Sequence, residues 1–296
     1  MDHTLNNDAL MRVSLLDGQA RALLIKSTAL CEAARRIHNT SRVATAALGR
    51  LLTATALLGS ELKGEGHSVT CMVKGNGPLG TLIAVGRADG GVKGYVQNPD
   101  ADLPRAGDKL PVGDAVGRAG TLSVIKDLGL KEPYTGRVNL VSGELGEDFA
   151  MYFTASEQVP SLVSLGVLVK DTVVAAGGLI VQLMPGASEA AIQSVELSAK
   201  MFTNISATMR EYDLHGAAQQ LLSHLQPQAL GESRPRYHCD CSRERAARAL
   251  ISLGREELTQ MIEERRGCEV DCHFCNRRQK FDDGELRELL AQATRP

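Results

Sequence analysis

Tryptophan is absent from this 296-residue chain, and aromatic residues make up only 3% of it. A core must therefore be assembled mainly from Leu, Val, Ile and Ala, packed by shape rather than around large rings. Also missing is any uninterrupted apolar run near the about 20 residues that a membrane span requires. Charge of one sign is not in excess either. The formal net charge is −2, which removes any whole-chain attraction to nucleic acid or an anionic membrane. The opening stretch, MDHTLNNDALMRVSLLDGQ, lacks the basic-then-apolar order of a signal peptide, so a cytoplasmic location is expected, where thiols stay reduced. Internal repeats and low-complexity tracts are missing too. What remains is an ordinary globular composition, 43% hydrophobic and 23% charged, in a chain longer than one core usually fills. Two domains are the first expectation.

The pattern along the chain points to an α+β fold. Residues 11–27 alternate around Asp17-Gly18, as a β-hairpin does. Residues 28–38 and 42–62 are rich in Ala and Leu and predict two helices, with Thr40 or Ser41 as the cap between them. Alternation broken by glycine turns predicts strands within 67–96, then at 120–126 and 136–141. A short helix is expected over 145–157 and strands at 162–169 and 172–183. Helices are segregated from runs of adjacent strands, which favours α+β over a doubly wound sheet. After Met184-Pro185-Gly186 the character changes, and 188–225 read as helices with apolar positions such as Val195, Met201, Phe202, Ile205 and Met209. Residues 226–237 contain prolines and read as a connector. Helices are expected again at 242–266 and 283–292. The expected organisation is a mixed core domain over 1–186, a helical linker over 187–237 and a small zinc domain over 238–296.

Five of the seven cysteines fall between Cys239 and Cys275. In a reducing compartment such clustering points to metal or redox chemistry rather than to structural disulfides. The pattern is Cys239-x-Cys241, then Cys272-x-x-Cys275. Two close pairs are how zinc commonly obtains four thiolates at about 2.3 Å, so Cys239, Cys241, Cys272 and Cys275 are the expected Zn2+ ligands. Four thiolates around a dication leave no open position, which argues against zinc hydrolase chemistry. Arg243, Arg245, Arg277, Arg278 and Lys280 lie close in sequence and are candidates to offset the negative site. The CxC half is unusual, because Cys239 and Cys241 can join only in a small strained ring, and strained disulfides are the labile ones. Oxidation of either pair removes two ligands and so expels the metal, and a module that depends on metal for its folding unfolds with it. Cys31 and Cys71 fall in helix and strand patterns and read as core residues. Cys268 is close enough in sequence to compete as a ligand or to mispair, and His238 and His273 flank the ligands.

Other motifs carry less. Gly75-Asn76-Gly77-Pro78-Leu79-Gly80 matches GxGxxG, but the dinucleotide fingerprint needs a helix next, and alternating residues follow. A hairpin turn is expected there. Ser123-x-x-Lys126 lies in a strand pattern, where residues three apart face opposite sides. From Glu232 onward the thirteen basic residues are matched by thirteen acidic ones, so a nucleic-acid-binding zinc ribbon lacks its basic stripe. A thiol oxidoreductase would place its CxxC at the start of a helix after a strand, which the pattern around Cys272 does not suggest.

The segments YHCDCSRERAARALISLG (237–254) and CEVDCHFCNRRQKF (268–281) closely resemble the redox switch of the 33-kDa heat-shock chaperonin family. The likeness extends to HNTSRVATAALGRLLTATALL (38–58), KGNGPLG (74–80), GYVQNP (94–99), TLSVIKDLGLKEPYTGRVNLVSGE (121–144) and AAGGLIVQLMPGA (175–187), and so spans essentially the whole chain. The resemblance implies a chaperone rather than an enzyme, folded, monomeric and largely inactive while reduced and zinc-bound. It implies that peroxide with unfolding stress, or hypochlorous acid, forms Cys239–Cys241 and Cys272–Cys275 disulfides and releases zinc. The switch and linker then unfold and expose apolar surface that holds unfolding client proteins without ATP. The active form dimerises, and reductants return it to rest. Cys268 departs from the family pattern.

Overall fold

A computed structural model of the chain describes residues 7–104, 107, 109–264 and 267–293. The chain divides into two compact units, Met1–His238 and Cys239–Pro296. The larger unit is α+β, as the segregation of its patterns suggested.

It begins with the hairpin β1 (Ala9–Leu15) and β2 (Ala20–Lys26), followed by α1 (Thr28–His38) and α2 (Arg42–Gly59). Ser41 caps α2, its hydroxyl accepting from the Ala44 amide at 3.1 Å. Strands β3 (Ser68–Gly75), β4 (Thr81–Arg87) and β5 (Gly91–Val96) follow, then a five-residue helix α3 (Val112–Val116) that the sequence pattern does not reveal. Next come β6 (Gly120–Asp127), β7 (Tyr134–Asn139), α4 (Leu145–Ala155), β8 (Ser161–Val169) and β9 (Val173–Leu183). The helical stretch consists of α5 (Glu189–Ser198), α6 (Ile205–Glu211) and α7 (Leu214–Leu222), with one short 3-10 turn between α5 and α6 and another after α7. Residues 226–237, expected as a Pro-containing connector, hold two strands that the sequence pattern does not reveal, β10 (Gln228–Ser233) and β11 (Arg236–Tyr237).

Two sheets organise the unit. One has the order β10-β1-β2-β9-β8 and the other β11-β5-β4-β3-β6-β7. The first separates two cores by strand alternation, since successive side chains point to opposite faces. Leu10, Leu23, Ile25, Ala176 and Ile180 face the core that contains α1 and α2. Met11, Val13, Leu15, Leu24, Leu179 and Val181 face the other side, where Val195, Phe202, Ile205, Met209, Leu214 and Leu221 cover them. The helices after β9 are thus the second wall of a core. α6 lies nearest to the strands, over Gly166 of β8 and Gly177 of β9, which pair directly with each other. A Cβ on Gly166 would meet Ile205 Cγ2 at 2.7 Å and the Ser206 nitrogen at 2.9 Å. At the end of α6, the Lys26 ammonium donates to the Tyr212 carbonyl at 2.9 Å.

The smaller unit holds α8 (Arg243–Ser252), α9 (Arg255–Glu264), the hairpin β12 (Cys268–Asp271) and β13 (Arg278–Phe281), and α10 (Asp283–Gln292). The single helix expected over 242–266 is broken at Gly254, whose φ of 92° lies in the region glycine tolerates. Residues 265 and 266 of that expectation lie outside the described residues. Leu250, Leu258, Phe281, Leu286, Leu289 and Ala293 form the core of this unit. Asp282 caps α10 in a reciprocal capping box with Glu285.

Candidate metal centre

Two short pieces of backbone present the thiols. Cys239-Asp240-Cys241 runs directly into α8, whose cap Ser242 accepts from the Arg245 amide at 3.3 Å. Arg245 also reaches back to Asp240 at 2.6 Å, which ties the loop between the two sulfurs to the helix that follows it. The second piece is the turn between β12 and β13. There the Cys272 amide donates to the Arg277 carbonyl at 3.0 Å, and the Cys275 and Asn276 amides donate to the Cys272 carbonyl at 3.2 and 2.8 Å. Asn276 closes the turn with φ of 54°, a left-handed conformation that Asn adopts more readily than most residues. This strand–turn–strand setting differs from the strand-to-helix setting of a disulfide oxidoreductase.

The four sulfurs come together. All lie within 4.8 Å of one another, with Cys239 Sγ 3.7 Å from Cys272 Sγ and Cys241 Sγ 3.3 Å from Cys275 Sγ. A tetrahedron of bonds of about 2.3 Å places its sulfurs about 3.8 Å apart, so the arrangement is close to what a metal ion would require. Among the described residues these four cysteines are the ligand-type side chains that gather in this way, and neither His238 nor His273 joins them. Burial pushes the Cys239 and Cys241 thiols up, and the facing sulfurs of Cys272 and Cys275 add to it. Burial opposes ionisation of Cys272 as well, yet amides at Phe274 and Cys275 and the facing thiols hold it below the usual value. Crowded, half-buried thiols of this kind can all ionise only beside a cation. The donor set therefore fits a soft divalent metal.

The basic residues near the cysteines do something other than offset that site. Arg243 pairs with Glu285 at 2.5 Å and lies 4.4 Å over the Phe281 ring. Arg278 bridges Glu269 and Asp271, both at 2.8 Å, and Lys280 also pairs with Glu269 at 2.8 Å. Arg245 is engaged with Asp240 as described. Those four are each matched by a carboxylate close in the fold, whereas Arg277 enters the turn through its carbonyl.

The remaining candidates resolve into structure. Cys31 and Cys71 are buried, and burial pushes both thiols up to about 12. Cys268 lies on β12 opposite Phe281 and packs against the small core, outside the group of four. The GxGxxG segment is the β3–β4 connection. Its Gly77 is needed because a Cβ there would lie 2.3 Å from the Ala115 carbonyl of α3. Ser123 accepts from Arg137 Nε at 3.1 Å and Lys126 pairs with Glu157 at 2.7 Å, so neither faces a shared site. Among the described residues no helix is long and apolar enough to cross a membrane.

The chain is similar to known proteins over nearly its whole length. The family model described as "Hsp33 protein" matches residues 8–282. The 33 kDa chaperonin of Clostridioides difficile is 44% identical over 290 residues, covering 96% of this chain and 99% of its own length. That of Oceanobacillus iheyensis is 46% identical over 290 residues, covering 95% and 99%. The crystal structure of the 33 kDa chaperonin from Thermotoga maritima superposes with a TM-score of 0.87 at 35% identity, covering 97% of this chain and 98% of that one.

Proposed function

This chain belongs to the Hsp33 family of chaperonins, and from that premise we propose that it is a cytoplasmic, ATP-independent holdase switched on by oxidation. At rest Cys239, Cys241, Cys272 and Cys275 hold one Zn2+. The ion, when bound, offsets the charge of four thiolates and ties the CxC loop to the β12–β13 turn. The observation that carries the reading is the convergence of two thiol pairs that lie 33 residues apart between Cys239 and Cys272. Among the described residues their unit has a core of six buried side chains. So small a core needs a staple to stay folded.

Oxidation removes the staple. The Cys272 and Cys275 thiolates give up two electrons to peroxide, which takes two protons from solvent and becomes two molecules of water, and one S–S bond forms. Cys239 and Cys241 react in the same way. Disulfide sulfurs are poor ligands, and the unit loses the cross-link between its two halves. The helical segment within 187–237 then releases from the sheet. Its departure uncovers a face built from Met11, Val13, Leu15, Leu24, Leu179 and Val181. A continuous apolar face of this kind recognises unfolding proteins by burial alone, without sequence preference. The same surface accounts for dimerisation of the active form. Nothing in this scheme turns over a substrate or contacts nucleic acid.

The test follows metal and client together. Reduced, zinc-loaded protein is treated with peroxide at mildly raised temperature, zinc release is read with a chromophoric chelator, and light scattering from a thermally unfolding client is recorded in parallel. Both signals should change only after oxidation. Zinc release with undiminished client aggregation would leave a structural metal site and remove the switch.

A further inference from the structure

Cys268 is the thiol that the four-sulfur site leaves out. It opens β12, pairs across the hairpin with Phe281, and is half-buried against the small core. β12 then carries the chain away from it. From Cys268 to Asp271 an extended strand covers about 10 Å, and Cys272 and Cys275 lie beyond that in the turn. A disulfide needs its two Cα atoms about 4.4–6.8 Å apart. While β12 and β13 stay paired, Cys268 therefore cannot bond to either turn cysteine. Burial also raises its pKa and keeps it protonated, which is the unreactive form.

We propose that the β12–β13 hairpin acts as a pairing guide, and that once it is lost Cys268 exchanges with the Cys272–Cys275 disulfide. The oxidised switch is then a mixture of three isomers. This inference rests on the oxidation reading given above. In an unfolded segment only the spacing along the chain still separates the thiols. Cys272 and Cys275 are three residues apart, Cys268 and Cys272 four, and Cys268 and Cys275 seven. Closure entropy grows slowly with loop length, so the three rings lie within a few-fold of one another.

The exchange consumes no oxidant. The Cys268 thiolate attacks Sγ of Cys272, the Cys268–Cys272 bond forms and the Cys272–Cys275 bond breaks. The electron pair departs on Cys275, which takes up the proton that Cys268 released. Attack on Cys275 instead yields Cys268–Cys275 and frees Cys272. Each isomer keeps one thiol, so the activated chain always carries a nucleophile beside its own disulfide.

The experiment maps disulfides in the full-length protein. Zinc-loaded protein is oxidised with peroxide at mildly raised temperature and quenched in acid, and free thiols are blocked with N-ethylmaleimide. It is then cleaved without reduction at Glu269 or Asp271, which separates Cys268 from Cys272. Mass spectrometry should find Cys268 within an intrachain disulfide in about a tenth to a half of oxidised chains. Cys268→Ser should give Cys272–Cys275 alone, with zinc release and client protection retained. Alkylation of Cys268 in essentially every chain that has lost zinc would overturn the exchange while leaving the switch intact, as would a link from Cys268 to another chain. If neither protein releases zinc on oxidation, the switch reading fails and this inference goes with it.

Discussion

Asp8 illustrates what one side chain sets in the larger unit. It is 2% exposed, and its carboxylate accepts from the Ala29 and Leu30 amides at 3.0 and 2.7 Å, where α1 has donors to satisfy. Burial pushes its pKa up to about 6, and those amides only partly counter the effect. The folded state therefore keeps its proton to higher pH than the unfolded chain does. The contribution of Asp8 to stability is full below about pH 4 and is lost as pH rises through about 6, a change of about 3 kcal/mol. Asp8→Asn keeps a carbonyl oxygen for the helix but does not titrate. Urea unfolding of the larger unit at pH 4 to 7 should lose most of its downward slope in this variant, and an unchanged slope would remove Asp8 as the cause. At this same scale the gathering of Cys239, Cys241, Cys272 and Cys275 was legible in the sequence, because two close cysteine pairs are a pattern that residue type and spacing alone record. The partners of Arg243, Arg278 and Lys280 were not, since Glu285, Asp271 and Glu269 meet them only through tertiary and hairpin pairing.

Among the elements, α6 holds the closest approach to the sheet. It rests on Gly166 and Gly177, where bare backbone lets a helix come nearer than any side chain would permit. The contacts that a Cβ at Gly166 would make are with Ile205 and Ser206 of α6 itself. Gly166→Ala should therefore push α6 outward and cost about 1–3 kcal/mol, as overpacked sites do. In the reduced, zinc-loaded variant, amide hydrogen exchange should speed up across 188–225 and stay unchanged in β3 to β7. Equal protection in both proteins would show that the floor does not set the hold on this segment. The hairpins and the long helices could be read from alternation and from Ser41, because each buries one face or caps in a way that local sequence records. β10 could not. It is an edge strand with a single neighbour, its Leu230 is 69% exposed, and a bulge opposite Arg12 and Val13 breaks its register. Alternation fails where burial on one side fails. The five residues of α3 are too few for a helical period to register.

At the scale of the whole molecule the two units differ in what keeps them folded. Met1–His238 contains two extensive apolar cores, whereas the described residues of Cys239–Pro296 hold one core of six buried side chains and four gathered sulfurs. Stripping metal from the reduced protein with a strong chelator should abolish hydrogen-exchange protection in α8, α9 and α10 and leave the strands of the larger unit protected. Retained protection in those helices would mean that the small core suffices without metal. The larger unit carries one further consequence, and it concerns synthesis. β1 is flanked by β2 and by β10, which lies more than 200 positions later in the chain. At about 5–20 residues per second, a ribosome delivers β1 some 10–40 s before the strand that covers its outer edge. For that interval the nascent chain displays a row of unpaired backbone groups beside an uncovered apolar face, the kind of template to which other strands add. Each new copy is therefore itself in need of protection until its residues 228–233 have emerged.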